Sequence, residues 1–305
     1  MSESEAPADR GAGRRAIRFG LVILAVGIVV IFVANEVERR GRTETIDAVH
    51  PSGALHLAGD ALVMTDADGR AISYDIKTHQ ATTLLDDLMR PVAADIGPDG
   101  TACAVGEDTS EARNAWLTCT NGLRVDLAAF ELPDAPVGGG SALLVDVVSD
   151  GASGWLVADA GRRVLVHVDR DGTVALASRF SRTGTTWVPR GLDRVGNQVA
   201  IALGPAGITS LSLSARNLVT TDSRWVGGAD SAAIVGDTSE PLVLVNIPTS
   251  ANDFVTYPGG GPDAAYPHVA DQLERATGLE LLPDGRLAIA ANGRLLLVRP
   301  TDLPD

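Results

Sequence analysis

Leu281-Leu282-Pro283-Asp284-Gly285-Arg286-Leu287-Ala288-Ile289-Ala290 decides the fold. A short apolar run, a Pro-Asp-Gly break and a second short apolar run read as two strands joined by a tight turn. Asp95-Ile96-Gly97-Pro98-Asp99-Gly100-Thr101-Ala102-Cys103-Ala104 follows the same plan. Val145 to Val157 repeats it as VDVVSDGASGWLV, and Leu192 to Leu203 as LDRVGNQVAIAL. Ala61 to Asp75 (ALVMTDADGRAISYD) is a second kind of hairpin. Asp-Gly stands at 68–69, 99–100, 150–151, 171–172 and 284–285, and Asn-Gly at 121–122 and 292–293. These dipeptides suit type I′ turns, whose two central residues both need φ > 0, and that turn type is the expectation here.

The hairpins recur. Past Arg42 the chain lacks long stretches of helical period, so the fold class is all-β. First strands of successive units fall near residues 53, 91, 142, 187, 231 and 278. Four short strands per unit at this interval describe blades. Thr43–Asp305 supplies 263 residues, enough for about six. The irregular stretch Thr249–Ala276 leaves seven as the alternative. On this period and turn grammar the chain resembles the β-propeller superfamily, with its NHL, YVTN and quinoprotein-like branches, at the level of architecture. The last unit, Gly278–Pro300, offers only three strands (GLELL, RLAIAA, RLLLVRP). Thr43–Val49 (TETIDAV) is expected to supply the fourth and close the ring, removing exposed strand edges.

The other end reads differently. Phe19–Ala34 (FGLVILAVGIVVIFVA) has no charge, and with Ala16–Arg18 it is long enough to cross a bilayer as a helix. The run is longer than a signal-peptide core and ends without a clean cleavage site. The expected organisation is a cytoplasmic tail (1–15), one transmembrane helix (16–35), a short stalk (36–42) and a propeller ectodomain (43–305). Four arginines before the apolar run Phe19–Ala34 (Arg10, Arg14, Arg15 and Arg18) against three after it (Arg39, Arg40 and Arg42) give a weak positive-inside bias. Cys103 and Cys119 are the only cysteines. On the expected strands Thr101–Gly106 and Ala115–Thr120 they face each other. A disulfide there implies an oxidising compartment; two buried thiols are the alternative. The expected location is the cell membrane, single-pass, with the N-terminus inside and the propeller outside.

The net charge is −14. The first forty-two residues are slightly basic, so the acidity lies in the expected ectodomain, which repels nucleic acid.

Chemical motifs are sparse. The sequence has no phosphate-binding G-x-x-x-x-G-K-[ST], no G-x-S-x-G elbow, no H-E-x-x-H and no Cys/His cluster. His50, His56, His79, His167 and His268 are scattered and read as surface or internally satisfied residues. Asp66-x-Asp68-Gly69 and Asp169-x-Asp171-Gly172 look like fragments of a calcium loop, but turn chemistry accounts for them. Trp116, Trp155, Trp187 and Trp225 fall one per unit in four units; inter-blade packing is the first reading and a recognition patch the second.

One pattern is more specific. Asp95, Asp146 and Glu280 each stand five residues before the Gly of their hairpin, and Asp193 stands three before Gly196. On innermost strands these four form an acidic ring in the channel. Such a ring caps backbone N–H groups or faces channel water, or it holds a divalent cation, calcium foremost, as in the calcium-dependent propeller hydrolases, or a cationic ligand. The asparagine pair of the metal-dependent lactonases is missing. No other cofactor is expected. The functional expectation is an anchored extracytoplasmic module that binds or scaffolds a protein or cell-envelope component, without catalysis. The alternative is a divalent-cation-dependent hydrolase or lyase with its site in the channel. A purely structural subunit of a membrane complex comes third.

Overall fold

The computed structural model describes residues 43–108, 114–133, 140–152, 154–180, 188–195, 198–202, 208–212, 217–219, 232–235, 242–246, 254–256, 265–266 and 276–299. The tail, transmembrane and stalk segments expected at 1–42 lie outside these residues. Among the described residues no helix is long and apolar enough to cross a membrane. By compactness the chain divides into Met1–Glu44 and Thr45–Asp305, and the second unit is built of sheets.

The first strand among the described residues is β1 (Thr43–Ile46). Four strands follow: β2 (Pro51–Ala58), β3 (Ala61–Asp66), β4 (Ala71–Asp75) and β5 (Gln80–Leu85). The next four are β6 (Pro91–Ile96), β7 (Ala102–Asp108), β8 (Asn114–Cys119) and β9 (Arg124–Asp126). Then come β10 (Leu144–Ser149), β11 (Trp155–Asp159), β12 (Val164–Val168) and β13 (Val174–Arg179). The next group is β14 (Gly191–Val195), β15 (Gln198–Ala202), β16 (Ile208–Ser212) and β17 (Asn217–Val219). It is followed by β18 (Ala232–Val235), β19 (Leu242–Asn246), β20 (Phe254–Thr256) and β21 (Ala265–Tyr266). The last are β22 (Ala276–Leu281), β23 (Leu287–Ala291) and β24 (Arg294–Val298).

Each group is a four-stranded sheet with its strands in chain order, and the last is completed as β1-β24-β23-β22. Neighbouring strands pair antiparallel, as in β2–β3, β6–β7, β10–β11 and β22–β23. First strands neighbour one another in chain order, and β22 returns to β2. This is the arrangement of a β-propeller. First strands begin within four residues of their expected positions. TETI takes the closing place expected of it. The irregular stretch at 249–276 gives β20 and β21 to the fifth sheet, with no sheet of its own among the described residues.

The core lies between blades. Neighbouring residues on one strand point to opposite faces, so each blade feeds two slabs. Ala93, Cys103, Val105 and Leu117 pack toward Val147, Trp155, Val157 and Val166 of the third blade. Their neighbours Ala94 and Ala104 pack with Val63 and Ala71 of the first. β11 and β23 are therefore buried along their whole length. The outer strand β5, QATTLL, is largely exposed. Inner strands approach closely where side chains are missing. A Cβ on Gly53 would stand 1.8 Å from the carbonyl oxygen of Val92, and one on Gly278 would stand 2.7 Å from that of Gly53.

The turns correct one expectation. All seven Asp-Gly and Asn-Gly glycines have positive φ, yet only Asn292-Gly293 has both residues there, at 51° and 69°. In the Pro-Asp-Gly turn, Gly100 N–H donates to the carbonyl of Gly97, and Gly97 N–H to that of Thr101. The same pair of bonds recurs at 119–123, 169–173 and 282–286. These are type I turns closed by a left-handed glycine, the three-residue hairpin loop. The preceding Asp or Asn serves by side-chain capping. Asp99, Asn121, Asp171 and Asp284 each accept the N–H two residues on.

Cys103 lies opposite Cys119 in the β7–β8 ladder, and the two form a disulfide. The turn expected near Glu111 lies outside the described residues. Trp116 and Trp155 are buried between blades, which bears out packing over recognition for these two. Trp187 and Trp225 lie outside the described residues.

Candidate functional site

The first strands carry their ionisable side chains to the middle of the ring. Asp95 sits on β6, Asp146 on β10, Asp193 on β14 and Glu280 on β22. Asp95, Asp146 and Glu280 are buried. A fifth member is His56 of β2, also buried. Its Nε2 meets Asp146 Oδ1 at 2.7 Å, reaching from the first blade past the second to the third.

Asp95 and Asp146 follow one plan. Asp95 Oδ1 accepts the N–H of Ile96, and Oδ2 that of Ser149 on the next blade. Asp146 Oδ1 accepts from Val147, and Oδ2 from Leu192 on the blade after it. Each acid thus ties its own strand to the following one. Buried N–H groups at the ring's centre have no water to turn to, and a carboxylate satisfies two of them at once.

Charge is concentrated here. Burial works against the His56 imidazolium, but the charge and hydrogen bond of Asp146, helped by Asp95 and Glu280, outweigh it and push the pKa up to about 10. The surrounding carboxylates thus favour the charged imidazolium of His56 over its neutral ring. Burial raises the Asp193 carboxyl to about 7; His56 and the Arg194 N–H hold it down, while Asp146 and Asp95 push it further up. Part of Asp193 remains exposed, yet its carboxyl shares the field of the ring. Burial also lifts Asp95 above the ordinary carboxylate range, opposed by His56 and its two N–H donors.

The four sequence-derived acids thus belong to one electrostatic cluster. Among the described residues no group of three or more His, Cys, Asp or Glu side chains is placed to hold a metal ion. The chain answers the acids with His56, which the sequence alone presents as a scattered histidine. A signal was present: His56 precedes Gly59 by three, as Asp193 precedes Gly196.

The other described histidines lie elsewhere. His50 Nδ1 is 3.2 Å from the carbonyl of Gly293, and His79 Nδ1 2.9 Å from the hydroxyl of Tyr74. His167 Nε2 bonds Asp150 at 2.9 Å. His268 lies outside the described residues. The two suspected calcium fragments are turns. Asp66 accepts from the backbone of Asp68 and Arg70 and from the Arg70 side chain. Asp171 caps Thr173.

Fold and ring together define the class, a β-propeller with a charged, hydrogen-bonded hub. Solved structures agree on the fold. One neighbour is an auxiliary nutrient binding protein from Bacteroides thetaiotaomicron, at 9% identity and TM-score 0.57, with 83% of this chain and 70% of that one covered. Another is an auxiliary nutrient binding protein from Bacteroides ovatus, at 10% identity and TM-score 0.55 with the same coverage. A putative gluconolactonase matches at 14% identity and TM-score 0.55, over 86% of this chain and 94% of that one. At these identities the likeness is one of architecture. No protein-family model and no curated protein matches the chain.

Proposed function

We propose that this chain is a membrane-anchored, extracytoplasmic β-propeller of six blades that binds or scaffolds a protein or cell-envelope component through its loop faces. One observation carries the reading: the channel acids are engaged within the fold. Both oxygens of Asp95 and of Asp146 accept backbone N–H groups, and His56 takes a further place on Asp146. The residues best suited to channel chemistry thus join blade to blade, which leaves the loops to meet partners. The apolar stretch at 16–35 supports the anchor, and the Cys103–Cys119 disulfide supports an oxidising compartment. The two auxiliary nutrient binding proteins are precedents for binding on this architecture.

Met89 and Leu143 are the exposed large hydrophobics among the described residues, at 53% and 48%. Both sit on connections that enter a first strand, and Glu107 joins those connections: its N–H donates to the Arg90 carbonyl and its carboxylate accepts from Leu144 N–H. This face is the one to probe. A photo-crosslinking residue is placed at Met89 or Leu143 in cells expressing the full-length chain, with Asp284, at the other end of the first strands, as control. Discrete adducts with an envelope protein or polymer at the first two positions, absent at Asp284, are expected. Absence of adducts at all three positions refutes binding through this face.

A further inference from the structure

Propeller channels that present rings of carboxylates suit a divalent cation, so the question is whether this ring does. Four observations bear on it. The Asp95 oxygens already accept from Ile96 and Ser149. The Asp146 oxygens already accept from Val147, Leu192 and His56. The His56 side chain is 5% exposed and that of Asp146 3%, so the pair is sealed from water. Among the described residues, the charged groups that act most strongly on His56 are acids, namely Asp146, Asp95 and Glu280, with Asp193 interacting as well.

A buried imidazole bonded to one carboxylate and ringed by others is held as a cation, because neutral imidazole would leave their repulsion uncompensated. We infer that the ring takes its counter-ion from the chain itself, with the His56 imidazolium in the place a divalent cation would need, so that the channel is a closed hub and not a metal site. The geometry is specific to that cation. Asp146 turns one oxygen to His56 while both of its oxygens stay on backbone donors, so a metal drawing on Asp146 would have to displace His56 or break an inter-blade bond. His56 is thereby a positioning residue that links the first and third blades.

The test uses the purified full-length chain. Its thermal midpoint is followed with EDTA and with millimolar calcium or magnesium, for the wild type, His56→Gln and His56→Ala. The wild-type midpoint is expected to stay put in every condition. His56→Ala is expected to melt lower, and imidazole at mildly acid pH, or calcium, to recover part of the loss by filling the vacated place, as any ligand of the folded state does. His56→Gln, which keeps the shape without the charge, is expected to show the loss in smaller measure. Nuclear magnetic resonance of the histidine rings reads the charge directly, and His56 is expected to carry protons on both nitrogens at pH 8. A rise of the wild-type midpoint with either cation overturns the inference. So does a His56 ring that is neutral at pH 8, which settles the matter even where His56→Ala does not fold.

Discussion

Truncating Asp146 to alanine strikes the ring at its most connected point. The wild-type carboxylate accepts from Val147 N–H at 2.8 Å, Leu192 N–H at 2.7 Å and His56 Nε2 at 2.7 Å. Alanine leaves a buried imidazolium facing no partner of its own, and removing one member of a buried pair costs about 3–5 kcal/mol. It also orphans two buried N–H groups, each worth about 1–3 kcal/mol when unpaired. These penalties overlap, since relaxation or a trapped water serves several groups at once, so the net loss is about 4–6 kcal/mol. For a domain of this size each kcal/mol moves the midpoint by about 2–4 °C, which gives a fall of roughly 10–20 °C. Circular dichroism melts of the full-length chain at neutral pH read it. Asp146→Asn keeps an acceptor oxygen and is expected to fall by about half as much. The double variant His56→Ala/Asp146→Ala is expected to lose at least about 1 kcal/mol less than the two single losses added together, because the unpaired cation is gone. An Asp146→Ala midpoint within about 2 °C of wild type refutes the reasoning, because a residue so placed would then tie nothing together.

Three further outcomes follow. His56 has a folded pKa of about 10 against an unfolded 6.5, so its contribution is full below pH 6.5 and lost as pH rises toward 10. Asp193, raised from 3.8 to about 7, acts in the same sense at lower pH. Unfolding free energies from urea titrations are thus expected to fall between pH 6.5 and 10 by on the order of 4 kcal/mol, and to fall far less in His56→Gln; equal slopes contradict this. Replacing Cys103 and Cys119 together by alanine is expected to cost about 3 kcal/mol in urea titrations, through the freed loop between them; an unchanged midpoint contradicts this. Gly53→Ala drives a Cβ into the Val92 carbonyl, a backbone atom that cannot swing away, and is expected to cost on the order of 2–4 kcal/mol in the same titrations, whereas Gly100→Ala meets no atom and bears only the strain of its positive φ.

Much of this architecture was legible in local chemistry. Asp99-Gly100 and Asp284-Gly285 mark hairpins because a short capping side chain and a left-handed glycine are both needed there. The turn type itself was misread, since the dipeptide serves a type I turn with a closing glycine as readily as a type I′ turn. TETI was legible as the closing strand because the last unit is one strand short. The acids of the ring were legible through their fixed distance from a turn glycine. Their partners were not. The bond from Asp95 to Ser149 spans 54 positions and that from His56 to Asp146 spans 90. Nothing near His56 in the chain shows that closing the ring brings it to a carboxylate two blades on. Burial also erased the alternation that would have marked β11 and β23 as strands with two distinct faces, because both faces pack against other blades.

Location is the most direct test of the account. Intact cells expressing the full-length chain are quenched in acid, and their proteins are alkylated with a large maleimide before and after reduction. The account predicts no added mass before reduction and two additions after it, in material that sediments with membranes, because Cys103 and Cys119 form a disulfide and the proposed location of the propeller is outside the cytoplasm. Two free thiols at the moment of quenching, or a chain that stays in the soluble fraction, would contradict it.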